Sequence, residues 1–458
     1  MRLKSLIVAL AMVAAPLASP AEDLLDAYRQ ARANDPVLSQ ADASRLATHE
    51  DVAQTRALLL PQVDARLSMD QSDAAGPTRT PIYGADGTGV VGYSGDTGHT
   101  RTRELGATVS QSIVDIGRYT DLEAARSLAD SQDATYEAAL QRLYTRVATA
   151  YFQVLTDEDA LTFAKANEQA LGRELDREQH RFGVGLVTIT DVQDTKASHD
   201  GAVASVITAE NSLADSREAL TQITGQPADH LKKLRETLPM DLPMPNEARA
   251  WVAEAVRMNP TLIAAQYNVD SAEHSIGSAR AGHLPTVDAS LGYSKSAAWN
   301  QNAVGGTASG TQSSSHPGVT SANLTLNVPV FSGGATQSRV RQSTYQRDAA
   351  EDALEITRRE VVRDTLNYFR SVVAGVSKVA ATRAAVDSAE IARDASQAGV
   401  VVGTRTIVDV LLAQQSVTSA LSDYSQARHA FVLDKLLLEQ AAGTIGVKDL
   451  EAVNSLLD

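Results

Sequence analysis

The chain repeats itself. Asn34-Asp35-Pro36-Val37-Leu38 returns as Met258-Asn259-Pro260-Thr261-Leu262, and Leu60-Pro61-Gln62-Val63-Asp64-Ala65 returns as Leu284-Pro285-Thr286-Val287-Asp288-Ala289, both 224 residues later. Tyr151-Phe152 matches Tyr368-Phe369 at a spacing of 217. Val184-Gly185-(x)5-Asp191-Val192 matches Val402-Gly403-(x)5-Asp409-Val410 at 218, and Gly225 and Gly443 close the copies at that same spacing. Such a period is far longer than that of solenoid repeats, so each copy is a large structural unit. Two like units in one chain predict a pseudo-symmetric object, such as one wall segment of a ring.

All 14 prolines avoid two long windows, 82–226 and 330–458. Inside them, Gly172 is the only helix-weakening residue of 119–182, and Gly375 the only one of 335–398. The first window carries a stripe at Tyr136, Leu140, Leu143, Val147, Ala150 and Val154, whose alternating steps of four and three are those of a coiled-coil seam. A second stripe, Tyr144, Ala148, Tyr151 and Leu155, lies on a neighbouring face. Two seams demand two neighbours, as in a bundle or a wall of helices. The second copy keeps the second stripe as Val361, Thr365, Tyr368 and Val372, but puts Thr357, Glu360 and Asp364 where the first has Leu140, Leu143 and Val147. The two long helices should therefore have different surroundings. Each ends at a glycine-punctuated turn and is followed by a second helix, which gives antiparallel hairpins over about 118–224 and 335–442.

Before each hairpin lie two segments of strict apolar/polar alternation, the mark of strands with one greasy and one wet face. They cover about 62–70 and 103–114 in the first copy, and about 285–295 and 322–331 in the second. Their length suits a transmembrane β-barrel; a soluble, half-buried sheet has the same pattern and stays open on these residues. The Gly/Ser/Thr-rich links 71–100 and 295–320 read as exposed loops. The expected organisation is a first repeat over 22–225, a linker or equatorial region over 226–250, a second repeat over 251–443, and an equatorial segment over 444–458.

Residues 1–21 read as a secretory signal: Arg2 and Lys4, an apolar run from Leu6 to Ala15, then Ser19-Pro20-Ala21 before Glu22. Its removal takes the formal charge from −15 to about −17, a balance that disfavours nucleic acid as a partner. There is no cysteine, which excludes disulfides, thiolate metal sites and a lipidated N-terminal cysteine. The low aromatic content of 4% fits elongated helices packed through Ala and Leu.

Nothing assembles an enzyme, and no cofactor or metal is expected. Gly87-Thr88-Gly89-Val90-Val91-Gly92 has the spacing of a dinucleotide fingerprint, but it reads as loop without the strand before and helix after that the fingerprint needs. The nine histidines include no i, i+4 pair, so a zinc-hydrolase site is not expected. The turns carry more. Asp191 and Asp194 share a helix face, their counterparts are Asp409 and Leu412, and Arg405 stands where the first copy has Val187. These acids either complement a helix dipole or, repeated around an axis, form a charged ring.

Three segments carry a resemblance: Gly282-His283-Leu284-Pro285-Thr286-Val287-Asp288, 181–193 from Arg181 through Val184-Gly185-Leu186-Val187-Thr188 to Gln193, and 402–411 from Val402-Gly403-Thr404-Arg405 to Leu411. With the duplication and the signal, they resemble the TolC family of outer-membrane channel-tunnels of Gram-negative export systems, over essentially the whole mature chain. The resemblance implies a homotrimer whose strands complete one barrel in outer-membrane lipid and whose hairpins form an α-helical tunnel in the periplasm. It implies a passive duct for type I secretion or multidrug efflux, served by a periplasmic membrane-fusion adaptor and an inner-membrane ABC or RND transporter. The wet lumen is expected to be lined by Asp64, Arg66, Ser68, Thr108, Asp288 and Ser290. Val63, Leu67, Val109, Leu291 and Leu326 should face lipid, with Tyr293 and Trp299 as interface anchors. Gly185, Leu186, Val187, Gly403 and Thr404 are the expected docking tip.

In the resemblance the closed entrance is latched by Asp191 and Thr190 of one hairpin linking to an arginine and a tyrosine of the other. Arg405 occupies the arginine position, whereas Val400 stands in place of the tyrosine. Asp409 keeps one acid of the selectivity ring, Leu412 replaces the second, and Asp194 supplies an acid in the other copy. The rival class is a non-membrane helical structural protein, either a filament subunit or a periplasmic adaptor.

Overall fold

A computed structural model describes residues 22–83, 87, 89–227, 230–304, 307–315 and 317–458; the expected signal segment lies outside the described residues. The elements run α1 (Leu24–Asn34), α2 (Pro36–Ala57), β1 (Gln62–Tyr83), β2 (Gly89–Val114), α3 (Ile116–Gly183) and α4 (Ile189–Thr224). They continue as α5 (Ala248–Met258), α6 (Pro260–Ala281), β3 (Thr286–Val304), β4 (Thr307–Ser315), β5 (Val319–Asn327), α7 (Ala335–Val401), α8 (Ile407–Ala442) and α9 (Val447–Asn454). At ~1.5 Å per residue, α3 extends about 100 Å. The chain divides into two compact units, the first made of Met1–Arg45, Ser131–Gln266 and Ala353–Asp458, the second of Leu46–Asp130 and Tyr267–Asp352.

The repeated Asp/Asn-Pro motif is a helix stop followed at once by a helix start. Asp35 ends α1, and its carboxylate accepts the Leu38 N–H at 2.9 Å; Pro36 opens α2, where its missing N–H costs nothing. Asn259 does the same between α5 and α6, accepting from Thr261 at 3.0 Å. These four helices were not foreseen, although the motif is a sequence signal for them. Asp35 is buried and paired to Arg146 at 2.8 Å, so the acid is compensated.

The core of the first unit is built on α3. Both stripes are inside: Leu143, Val147 and Val154 of the first, and Tyr144, Ala148, Tyr151 and Leu155 of the second, are all buried. They pack with Leu220, Phe431, Leu436, Leu450 and Leu24, each buried large side chain contributing about 1.5–3 kcal/mol. The Tyr151 hydroxyl donates to the Lys232 carbonyl at 2.9 Å. The stretches between and after the hairpins join this unit through bridges from Glu22 to Leu231 and from Leu234 to Leu457.

The second unit holds the sheet. Its order is β1-β2-β3-β4, all antiparallel, and β5 also pairs β3. β4 lies along Ala297–Val304 and β5 along Thr286–Ser294, so both occupy one strand position. The residues expected to be loops, 71–100 and 295–320, are mostly strand. β1 and β2 pair in unbroken register from Gln62↔Ser110 to Tyr83↔Gly89, which also places Gly89 to Gly92 in β2 rather than in a loop. Their composition conceals this because β-propensity is set by pairing context more than by residue type. Pro317 and Gly318 separate β4 from β5, and the Tyr293 ring lies against Gly318 where a Cβ would sit. Beside the sheet, α3 approaches α6 through small residues: Ser271 donates to the Ala124 carbonyl at 2.9 Å, and Thr120 lies against Gly277. Such close packing needs few aromatics.

Candidate functional site

Each hairpin turn is set by one glycine. Gly185 and Gly403 both have φ +77°, a region closed to most side chains. The Gly185 N–H donates to Phe182 and the Leu186 N–H to Arg181, both at 2.9 Å; Gly403 donates to Val400 at 3.2 Å and Thr404 to Gly399 at 2.9 Å. These are Schellman motifs, which satisfy the last carbonyls of α3 and α7. The turns leave apolar side chains in solvent: Leu186 is 69% exposed, Val184 72%, Val401 83% and Val402 72%. Val187, expected beside Leu186 as exposed contact, is half-buried, because it sits next to the start of α4. Val184, Val401 and Val402 were missed by the sequence reading, yet an apolar residue beside a turn glycine was the available signal.

The helices that follow begin with identical capping boxes. The Asp191 carboxylate accepts from the Thr188 N–H at 2.9 Å and hydroxyl at 2.7 Å, while the Asp191 N–H donates to Thr188 Oγ1. Asp409 repeats this with Thr406, at 2.9 Å for both bonds. Thr188 and Thr406 are thus further working residues; Thr-x-x-Asp before an apolar run is their sequence signature. The Thr188 hydroxyl and N–H hold Asp191 below the usual carboxylate range. The Thr406 N–H and hydroxyl, helped by Arg405, do so for Asp409. One oxygen of each acid is engaged in its cap, and the other oxygen of Asp409 faces Arg405.

Arg405 reaches Asp409 at 3.8 Å, and its stem lies over Gly399, where a Cβ would come within 2.5 Å of Cγ. Within one chain the structure therefore pairs Arg405 with Asp409, and no hydrogen bond joins it to Asp191 or Thr190 among the described residues. Asp194 and Leu412 are exposed one turn further along α4 and α8. Behind the first turn, Glu174 and Glu178 are buried with Arg177 and Arg181 one turn on, and burial raises Glu174. These acids were also missed; on the sequence they look like ordinary solvated helix charges.

In the sheet, the register sorts residues by face. Val63, Val109 and Leu291 lie side by side, as do Leu67 and Leu105. This face is open, with Val63 73%, Leu67 71%, Leu291 53% and Leu326 63% exposed. Tyr293 and Trp299 belong to it. The other face brings together Asp64 with Thr108, Arg66 with Gly106, Ser68 with Glu104, Ser290 with Ser110, and Asp288 with Ser112. All six expected lumen residues thus share one face.

The outer membrane efflux protein family matches residues 27–226 and 251–444. The outer membrane protein TolC of Escherichia coli (strain K12) is 36% identical over 444 residues, covering 96% of this chain and 86% of its own. The alkaline protease secretion protein AprF of Pseudomonas aeruginosa is 27% identical over 445 residues, covering 94% and 86%. A crystal structure of CusC superimposes with a TM-score of 0.74 at 15% identity over 92% of each chain, a likeness of fold. These similarities lend nothing to the rival filament or adaptor class.

Proposed function

The chain belongs to the outer membrane efflux protein family, and from that premise we propose that it is the outer-membrane exit duct of a tripartite export system. It is a passive homotrimeric channel with a closable periplasmic entrance, and it moves cargo without covalent chemistry. The observation that carries this reading is the two-faced sheet. A broad apolar face exposed to water would be an aggregation liability, and the free edges of β1 and of the β4/β5 position present unpaired backbone. Three copies joined edge to edge, with four strand positions each, give a twelve-stranded barrel that removes both problems and turns the apolar face to lipid. Asp64, Arg66, Ser68, Thr108, Asp288 and Ser290 then line the lumen.

The near-equal lengths of α3 and α7, 68 and 67 residues, and of α4 and α8, 36 each, support reading 22–225 and 251–443 as a duplicated unit, joined by 226–250 and followed by 444–458. The turns form the periplasmic tip. Gly185, Leu186, Val187, Gly403 and Thr404, with Val184, Val401 and Val402, receive a membrane-fusion adaptor that links the duct to an inner-membrane ABC or RND transporter. Thr190, Asp191, Asp194, Arg405 and Asp409 form the gate and its cation-favouring ring. Cargo of both kinds fits relatives named for efflux and for protease secretion.

Membrane fractionation, chemical crosslinking and planar-bilayer recording test this together. The expected result is an outer-membrane trimer with discrete conductance whose deletion abolishes export. A wholly soluble, non-conducting protein would sink the reading.

A further inference from the structure

On the apolar face of the sheet, the run of apolar residues stops at nearly the same height in three strands, and in two of them bases take over. In β2, Val109, Ala107 and Leu105 give way to Arg103 and Arg101; in β3, Leu291 and Tyr293 give way to Lys295, with Trp299 two rows beyond. In β1, Met69 is followed by Gln71 on that face. The apolar run spans Val287 to Tyr293, roughly 20 Å of strand. It begins at the strand ends that join α2 and α3, so its basic edge is the one away from the helices.

Charge is sorted between the faces at this edge. Lys295, Arg103 and Arg101 are exposed on the apolar side, while Glu104 and Asp70 stand on the other. Among the described residues none of the three bases makes an ion pair with an acid. Arg101 Nε donates to Gln71 Oε1 at 3.0 Å, and the Arg103 guanidinium lies 5.9 Å from the Trp299 ring centroid. The nearest acid on this face, Asp73, is bonded to His99 at 2.7 Å and also feels the charge of Arg101. A chain with a formal charge of −15 thus presents Arg103 and Lys295 with no acid among the described residues paired to them, and Arg101 beside an Asp73 already bonded to His99, where apolar side chains give way.

We propose that Lys295, Arg103 and Arg101, seated beside Trp299, form a belt that binds the phosphate groups of outer-leaflet lipid headgroups. Arginine forks match phosphate oxygens, the lysine stem extends along the apolar face to bring its ammonium to the interface, and Trp299 sits at headgroup level. The proposal rests on the barrel reading above.

The test uses the full mature protein in phosphatidylcholine vesicles containing either lipid A or lipid A stripped of its phosphates. Vesicle flotation and conductance are measured alongside lipid retention by native mass spectrometry. Each base near an anionic surface is worth roughly fivefold in affinity, so the R101Q/R103Q/K295Q variant should lose about a hundredfold of the preference for the phosphorylated lipid. The charge-keeping R101K/R103K/K295R variant should retain most of it. Equal retention of both lipids by the wild-type protein, an unchanged preference in the glutamine variant, or full displacement by millimolar inorganic phosphate would each overturn the belt. A protein that neither floats nor conducts overturns the barrel reading itself. One that floats and conducts but ignores the phosphates overturns the belt alone.

Discussion

Thr188 with Asp191 and Thr406 with Asp409 start two helices by the same bonds, so each acid proposed for the gate would have two jobs that a simple truncation cannot separate. Asp409→Ala should lower cation preference in single-channel reversal potentials, but it also removes a cap. Thr406→Ala removes the cap and keeps the charge, so it should leave selectivity unchanged; equal loss in both variants would assign the effect to the helix start. In the first hairpin, Thr188→Ala should cost about 1 kcal/mol of local stability, read as faster amide exchange at the start of α4. The pH dependence has two signs. Asp191 and Asp409 are lowered from an ordinary value of 3.8, so their stabilisation is present above it and is lost as pH falls further. Glu174 is raised above 4.5 by burial, so its contribution is favourable below that value and is lost as pH rises. Glu174→Gln should therefore slow exchange at the end of α3 at neutral pH; unchanged exchange would show that Arg177 already offsets the burial.

Gly375, read from the sequence only as a weak point in α7, is where that helix meets Phe431 of α8. A Cβ there would come within 2.9 Å of the ring, and Phe431 is buried with little room to give. A glycine inside a helix costs about 1 kcal/mol relative to alanine, and one added methyl in a packed core costs a similar amount. Gly375→Ala should thus be near neutral, whereas Gly375→Val should lose about 1–3 kcal/mol in denaturant midpoints. An undisturbed Gly375→Val would mean the α7–α8 contact is loose. The long helices were legible because proline exclusion and two apolar stripes report packing directly. The strands were legible only where alternation meets an apolar face; beyond Met69 and Leu105 side chains no longer alternate in polarity, and only backbone pairing, which the sequence does not display, continues the sheet. Asp191 and Asp194 were visible as a pair at i, i+3, and Asp409 as the counterpart of the first, but the caps on Asp191 and Asp409 required reading Thr188 and Thr406 together with them.

At the scale of the whole molecule, the proposed duct works only if its tip seals against a partner, and the turns bear on how. A Cβ at Gly185 or Gly403 would meet nothing within 4 Å, so neither glycine is required by packing in the chain itself. Their positive φ is the only internal demand, and asparagine tolerates that conformation better than other side chains. The pair Gly185→Asn and Gly403→Asn therefore keeps the turns while adding bulk to the surface the adaptor approaches. Replacing Leu186 and Val402 with serine removes apolar contact without touching either turn. If docking relies on close backbone approach over an apolar patch, both double variants should remain crosslinkable trimers with normal conductance yet lose most export and most adaptor co-purification. Tryptophan at the same glycines is the harsher version, and it confounds turn strain with steric exclusion. Should the asparagine and serine variants both export normally, with the adaptor still bound, the tip is only a turn and docking lies along the flanks of the hairpins.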